Sequence, residues 1–428
     1  MSSITSLTYL THDLPGVGGR IKVRDEDFLV EEQPAYPFTG EGEHLIAFIE
    51  KTQIATTEVA RRLARDFRVT RNDVGYAGLK DKHAIARQHF SIRLTDAGET
   101  PDAAIAHVNE HPRINVLWVD RHRNKLRRGH LAGNRFVIRI RDVEPTAVIA
   151  AKPILDRLVA RGVPNYVGEQ RFGYRDNNHV LGRHLLRGEH QALLDEMLGR
   201  PTAEESTAMQ AARSAYDRGD YAAALDQWPR ELHYERHVLD ALRQGRSAER
   251  AVTAIDLTQR EFLVSALQSA MFNRVLDRRL QAGMFDRLLA GDLAYKHDSG
   301  AVFRVDAADV EADNAPDGRA ARLAVSPTGP MWGHEMMRAE GEPGAIEQAV
   351  LGEFDLAEDD LRAVPKRIAP TGTRRPLRIG LRDADIAGGV DEHGAYIRLA
   401  FELPRGAFAT VVLREIMKTP DADADVTA

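Results

Sequence analysis

The sequence predicts an α+β protein in which a strand-rich domain is split by an inserted, mostly helical one. Three observations predict it. Apolar residues alternate with period two from Arg20 to about Asp142, recur with helical period beyond about Pro145, and alternate again in AYIRLAFELP near the C-terminus. That last strand unit is too short to bury a core alone, so it is expected to rejoin the first sheet. Three consecutive small domains are the alternative.

The strands of the first part are read in IKVRDEDFLVEE, HLIAFIE, HFSIRL and RFVIRIRD. Between the second and third, TTEVARRLARDF repeats Val59, Leu63 and Phe67 every four residues behind Thr56 and Thr57, the pattern of an amphipathic helix. AVIAAKPILDRLVARG, NHVLGRHLLRGEHQALLDEML, the alanine-rich run from about Ala203 to Ile255 and REFLVSALQSAMFNRVLDRRLQAG each read as helical. Within the run, AYDRGDYAAALDQW looks like half of a tetratricopeptide unit, but no second copy follows at a fixed period, and an ordinary helix pair is preferred. YKHDSGAVFRV suggests a hairpin, DNAPDGRAA a loop and SPTGPMWG a compact turn, with a further helical stretch beyond. PKRIAPTGTRRPLRIGL, residues 365–381, reads as a linker, GAFATVVLREIMK as a helix, and the acidic tail DADADVTA as disordered.

A chain of 428 residues exceeds one ordinary core, and 43% hydrophobic with 29% charged residues is ordinary globular usage. The net charge of −6 argues against a generic polyanion binder unless cations cluster locally. With Cys 0 there is no thiol nucleophile and no thiolate metal site. The N-terminus MSSITSLTYLTHDLPGVGG lacks a basic segment followed by an apolar core, and no apolar run has spanning length, so a cytoplasmic protein without membrane contact is expected.

In GYAGLKDKHAIARQHF, residues 75–90, Asp81 stands between Lys80 and Lys82 in a turn softened by Gly75 and Gly78. Flanking ammonium groups hold a carboxylate ionised, which suits a nucleophile and equally a solvated, salt-bridged turn. The following strand sets Phe90, Ile92 and Leu94 on one face and His89, Ser91 and Arg93 on the other. Residues 121–142, RHRNKLRRGHLAGNRFVIRIRD, gather Arg121, Arg123, Lys125, Arg127, Arg128, Arg135, Arg139 and Arg141 with almost no acid. Such a run repels itself, and phosphate binding is favoured over a solvated strand face. Within it, Asn134 and Phe136 share a side-chain direction: an amide able to read a base edge beside a ring able to stack on an extruded base. Phe136 in the core and Asn134 in a turn is the competing reading. VPNYVGEQRFG places Tyr166, Gln170, Arg171 and Phe172 at the junction of strand-rich and helical parts, either a cleft or a structural hinge.

Other chemistries lack support. No GxxxxGK[ST] occurs, and GVGGR precedes a strand rather than a helix. His184 and His190 are six apart, which fits neither HExxH nor finger spacing, so no metal is expected.

GYAGLKDKHAIARQ, AGNRF, VPNYVGEQRFG, SALQSAMFNRVLDRR and FELPRGAFATVVLREIMK, in that order, resemble the tRNA pseudouridine synthase D (TruD) family, from about Lys22 to Lys418. The resemblance implies a pseudouridine synthase catalytic domain on a mainly antiparallel sheet with helices, residues 1–168 and 370–420. A TRUD insertion domain, 169–369, would interrupt it, the two would enclose an RNA-binding cleft, and an acidic tail, 421–428, would follow. It implies a uridine isomerase with Asp81 as nucleophile, needing no cofactor and acting on tRNA. Bacterial members usually modify uridine 13, and archaeal and eukaryotic relatives modify other positions.

The uridine-to-pseudouridine reaction needs an ionised carboxylate, a cation that keeps it oriented when RNA closes the site, and a pocket for the base. Asp81 would attack C1′ or the base, or assist elimination at the sugar. Lys22, in the strand that resembles the family's N-terminal motif, is the expected cation, with Lys80 as the alternative. Phe136 would stack on uracil, Asn134 would hydrogen-bond near it, and Phe28 would help hold the pocket. Arg127 and Arg128, with the rest of their run, would track the RNA backbone, and Tyr166 and Arg171 would contribute to RNA binding. A tRNA-binding or chaperone protein on the same scaffold is a second reading, and a nucleoside glycosidase releasing free uracil a third. A monomer is expected, since no long apolar heptad appears.

Overall fold

In the computed structural model, residues 7–94, 101–363 and 368–419 are described. The chain divides into two compact units: Tyr9–Asn165 with the chain from Ile379 onward, and Tyr166–Arg378 with the residues through Thr8. The sequence reading places the corresponding breaks at 168/169 and 369/370. The 421–428 tail lies outside the described residues, as does part of the 365–381 segment.

The first unit contains β1 (Phe28–Pro34), β2 (His44–Thr52), α1 (Thr56–Asp66), β3 (Val74–Tyr76), β4 (Ile85–Arg93), α2 (Pro101–Asn109), β5 (Ile114–His122), β6 (Leu131–Arg141) and α3 (Val148–Arg161). Two further strands, Arg382–Asp391 and Gly394–Pro404, and a helix, Ala409–Met417, follow the second unit in sequence. The sheet runs Arg382–Asp391, Gly394–Pro404, β6, β1, β4, β2, β5, with β3 added on β4. Only the β1–β4 pair among these is parallel. The returning strand pairs with β6, Phe401 opposite Phe136, so the chain does rejoin its first sheet after the helical block.

Strand alternation explains the layers. Leu45, Ala47 and Ile49 of β2 and Phe90 and Ile92 of β4 form one core with Val59, Leu63 and Phe67 along α1 and with Ala104 and Val108 of α2. Each large side chain fully withdrawn there contributes about 1.5–3 kcal/mol, so the four-residue period read from the sequence is what holds α1 on the sheet. Elsewhere in this unit Glu415 accepts the backbone N–H groups of Leu10 and Thr11 at 2.8 and 3.1 Å, tying the start of the chain to its last helix.

Several local expectations are corrected. The first strand begins at Phe28, not Ile21, because Lys22 takes a positive φ of 53° and Asp25–Asp27 forms a 3₁₀ turn. β5, α2 and the strand Arg382–Asp391 were missed by the periodicity. Gly188, at φ 67°, ends one helix at Arg187, so NHVLGRHLLRGEHQALLDEML is two helices, Asn178–Arg187 and His190–Leu198.

The second unit packs helices about the 25-residue helix Leu257–Gln281, and AYDRGDYAAALDQW forms parts of an ordinary helix pair, Thr207–Asp217 and Tyr221–Gln227. Its four-stranded sheet runs Thr373–Pro376, Val325–Met331, Leu293–Lys296, Val302–Arg304. SPTGPMWG was expected to turn, yet Val325–Met331 is a buried strand. The Pro327 carbonyl accepts the Leu377 N–H at 2.9 Å, and Gly329 leaves room for Phe272 and Leu377, where a Cβ would lie 3.0 Å from each. The expected linker is likewise strand from Thr373, with Arg374 buried against Glu347 and Thr328. Among the described residues, no helix is long and apolar enough to cross a membrane, and no group of three His, Cys, Asp or Glu could hold a metal ion.

Candidate active site

Asp81 lies in the loop between β3 and β4, and that loop is pinned from three elements. Lys80 N–H donates to Thr56 Oγ1 at 3.0 Å, at the start of α1. Thr56 Oγ1 donates to Gln88 Oε1 of β4 at 2.9 Å, and Gln88 Nε2 donates to the Gly78 carbonyl at 3.2 Å. From β2, Lys51 Nζ donates to the Asp81 carbonyl at 2.7 Å and to the Ile54 carbonyl at 2.9 Å. Of the two turn glycines, Gly75 is required: a Cβ there would lie 2.2 Å from the Leu126 carbonyl oxygen. At Gly78 a Cβ would meet only Lys80 Nζ, at an ordinary 3.7 Å, and φ is not positive.

The Asp81 carboxylate is not held by its sequence neighbours. Lys80 turns to Glu32, 3.2 Å away, and donates to Asn134 Oδ1 at 2.5 Å. Lys82 is exposed and makes no ion pair among the described residues. The partner is Lys22, whose Nζ donates directly to Asp81 Oδ2. Its side chain is 5% exposed and that of Asp81 23%, so the cation is inside and the carboxylate faces outward. The left-handed backbone at Lys22 steers this contact, and Nζ also lies 4.9 Å from the centre of the Phe28 ring, a cation–π distance.

Three ammonium groups, Lys22, Lys51 and Lys80, thus surround two carboxylates, Asp81 and Glu32. The Glu32 carboxylate also accepts the His89 N–H at 3.2 Å, with the His89 ring Nδ1 at the same distance. Lys51 has only carbonyl partners, and burial pulls its pKa down to about 8, against the nearby Asp81 charge, which raises it, and with Lys80, which lowers it. An excess of buried positive charge next to a partly open carboxylate favours the ionised carboxylate and an approaching phosphate alike.

Asn134 and Phe136 do share a face of β6, opposite Glu32 and Val30 of β1. Phe136 is 6% exposed, edge-on to Phe28 at 6.2 Å and tilted against Phe401 at 5.5 Å. The residues read as a base pocket are therefore brought to one place, with the Phe136 ring mostly covered by its aromatic neighbours.

The basic run is corrected. Arg141 is interior, donating from Nε to both Asp27 oxygens at 3.0 Å and from Nη1 to Asp391 at 2.7 Å. These bonds hold the guanidinium pKa above, and the Asp391 carboxyl below, their usual ranges. Arg139 also pairs with Asp391 at 3.2 Å, Arg135 with Glu402 at 3.7 Å and Arg123 with Glu41, while Lys125 donates to the Asn72 carbonyl. Acids distant in sequence thus pair with four of the eight cations, Arg123, Arg135, Arg139 and Arg141. Arg127 and Arg128 are exposed, with no side-chain ion pair among the described residues.

Tyr166 and Arg171 belong to the second unit. Tyr166 is 3% exposed with its hydroxyl 3.3 Å from the Asp277 carboxylate and from the Thr8 carbonyl, an interior role that leaves no surface for RNA. Arg171 rests over the Phe262 ring at 5.0 Å, and burial lowers its pKa. Sequence reasoning missed Lys51 and Glu32. The available signal was register: Lys51 continues the inward series Leu45, Ala47, Ile49, and Glu32 continues Phe28, Val30, so each puts a charge where an apolar residue belongs.

Residues 5–416 match the family model described as tRNA pseudouridine synthase D (TruD). A tRNA pseudouridine synthase D of Geobacter sulfurreducens is 44% identical over 413 residues, 96% of this chain and 97% of that protein. One from Thermus thermophilus is 36% identical over 416 residues, 97% and 93% of the two chains. A crystal structure described as a candidate tRNA pseudouridine synthase D from Methanosarcina mazei superposes with a TM-score of 0.83 at 28% identity, over 98% of each chain.

Proposed function

The chain belongs to the tRNA pseudouridine synthase D family, and on that premise we propose that it isomerises a uridine of tRNA to pseudouridine with Asp81 as the nucleophile. The observation that carries the assignment is the Asp81 carboxylate paired with buried Lys22, beside Phe28, on a loop whose backbone Lys51 and Thr56 hold fixed. Uridine 13 is the target that the family resemblance suggests.

The chemistry asks little beyond that carboxylate. The N1–C1′ bond breaks, the uracil turns, and a C5–C1′ bond forms; C5 loses a proton and N1 gains one, so atoms and electrons balance without an oxidant. Lys22 serves to orient Asp81 and to offset desolvation when RNA covers it. Asn134, oriented by Lys80, offers an amide to the uracil edge, and Phe28 and Phe136 line the space for its face. The proposal includes a reaction without cofactor, in the cytoplasm, by a monomer.

The test is tritium release from a tRNA transcript labelled at uridine C5. Release matched by pseudouridine in the digested RNA supports the isomerase. Salt-sensitive tRNA binding without release would favour the RNA-binding reading, and free uracil would indicate a glycosidase.

A further inference from the structure

Half of the cations along residues 121–142 are paired with acids within the fold, and α1 carries a different row of cations. Arg61, Arg62 and Arg65 line a recess of about 280 Å³ together with Ile54, Glu58 and His111. Two of the arginines share one carboxylate, that of Asp66, at 3.3 Å from Arg62 and 2.8 Å from Arg65. Arg62 also donates to the His107 carbonyl at 3.2 Å, and Arg113 nearby in sequence to His111 donates to the Gln53 carbonyl at 3.3 Å. Arg61 is exposed and makes no ion pair among the described residues.

Like charges four residues apart on a helix repel, so Arg61 and Arg65 do not favour the free protein. The positive field is felt by His111, whose pKa is lowered first by burial and then by Arg62 and Arg113. The row is also placed for use. α1 starts at Thr56, the residue whose hydroxyl accepts the Lys80 N–H beside the nucleophile. At about 1.5 Å per residue, Arg61 and Arg65 lie roughly 8 and 14 Å along the helix axis from that point, a distance that a few nucleotides span.

We infer that the Arg61, Arg62 and Arg65 face of α1 binds backbone phosphates of the tRNA flanking the target uridine. This rests on the proposed reading of Asp81 as the reacting group. The recess receives a phosphate between Arg61 and Arg65, and the exchange of repulsion for phosphate contact gives affinity without touching the reacting atoms.

The experiment compares the full-length protein with the Arg61→Gln/Arg65→Gln double variant, using filter binding of tRNA transcript at several salt concentrations and single-turnover pseudouridine formation at saturating tRNA. Both sites are on the helix exterior, and Arg61→Lys/Arg65→Lys controls for charge against shape. The inference expects a tRNA Kd weakened by about tenfold, a log Kd against log salt slope shallower by about 1.5, and a saturated rate within about twofold of wild type. The Lys pair should restore most of the slope. An unchanged Kd and slope in the Gln pair would overturn the inference, and so would an unchanged Kd with a lost saturated rate. Wild-type protein that binds tRNA but forms no pseudouridine would refute the reading of Asp81 while leaving the slope comparison valid.

Discussion

Two stretches of the first unit carry dense charge, residues 78–82 and residues 121–142, and the fold uses them in opposite ways. Around Asp81 the charges come inward: Lys22, Lys51 and Lys80 have side chains almost closed to solvent, and the Asp81 carboxylate, paired with Lys22, stays partly open. Along the basic run four of the eight cations meet acids from elsewhere, with Arg141 clamped between Asp27 and Asp391. Density of charge in a sequence therefore says little about what the charge does. The register on which it falls, inward or outward, says more, because a buried charge costs free energy that only a structural or chemical role offsets.

The largest effect expected from breaking this contrast is on stability, in the run. Arg141→Met leaves Asp27, fully buried, without its cation, and should cost about 3–5 kcal/mol in urea unfolding. A loss under about 1 kcal/mol would mean that Asp27 finds another partner and that the run is not structural.

Lys51 gives the next effect, and its direction is specific. Its folded pKa of about 8 lies below the 10.5 of an ordinary solvated lysine, so between those values the unfolded chain binds more protons than the folded one. Burial of the charged Lys51 therefore costs folding free energy below about pH 8, and that cost, up to about 3 kcal/mol, is relieved as pH rises from about 8 to 10.5. Measured across that window, the unfolding free energy of the wild type should rise with pH relative to that of Lys51→Met. Parallel curves would show that Lys51 is not the buried group described.

Phe136→Leu sharpens the contrast from the other side, because it keeps an apolar residue between Phe28 and Phe401 and removes the ring. Stability should fall by about 1–2 kcal/mol, and the single-turnover rate at saturating tRNA by about 10- to 100-fold, with Kd within a few-fold. Much weaker binding with a normal saturated rate would remove Phe136 from the base pocket.

The smallest effect belongs to the exposed pair. Arg127→Gln/Arg128→Gln should leave stability within about 0.5 kcal/mol and the saturated rate unchanged, while the salt dependence of tRNA binding becomes shallower by about 1–2 in slope. An unchanged slope would leave the whole run without an RNA role.

Much of the fold was legible because its signals are local. The four-residue period of Val59, Leu63 and Phe67 is enough to identify α1, and the alternation in AYIRLAFELP identified the strand that returns to β6. Where Gly and Pro suggested punctuation the reading failed: Val325–Met331 is a strand because Phe272 and Leu377 fill the space beside Gly329, which no local rule encodes. In the site, Asp81 stood out by its own neighbours, yet those neighbours are not its partners. Lys22 comes from 59 residues away, and the acids that hold Arg141 from 114 and 250 residues away. Lys22 was named through family resemblance rather than spacing. Lys51 and Glu32 could have been found without either, as charges on the inward side of otherwise apolar strands.

The most direct test of the account is single-turnover pseudouridine formation by Asp81→Asn at saturating tRNA, read beside tRNA binding by the same protein. The substitution keeps size and the backbone carbonyl that Lys51 holds, while it removes the charge and turns one acceptor oxygen into an NH2 group. The account predicts no measurable pseudouridine with a tRNA Kd within a few-fold of wild type. Pseudouridine formed at a rate close to wild type would contradict it, because the carboxylate that Lys22 pairs with would then not be the reacting group.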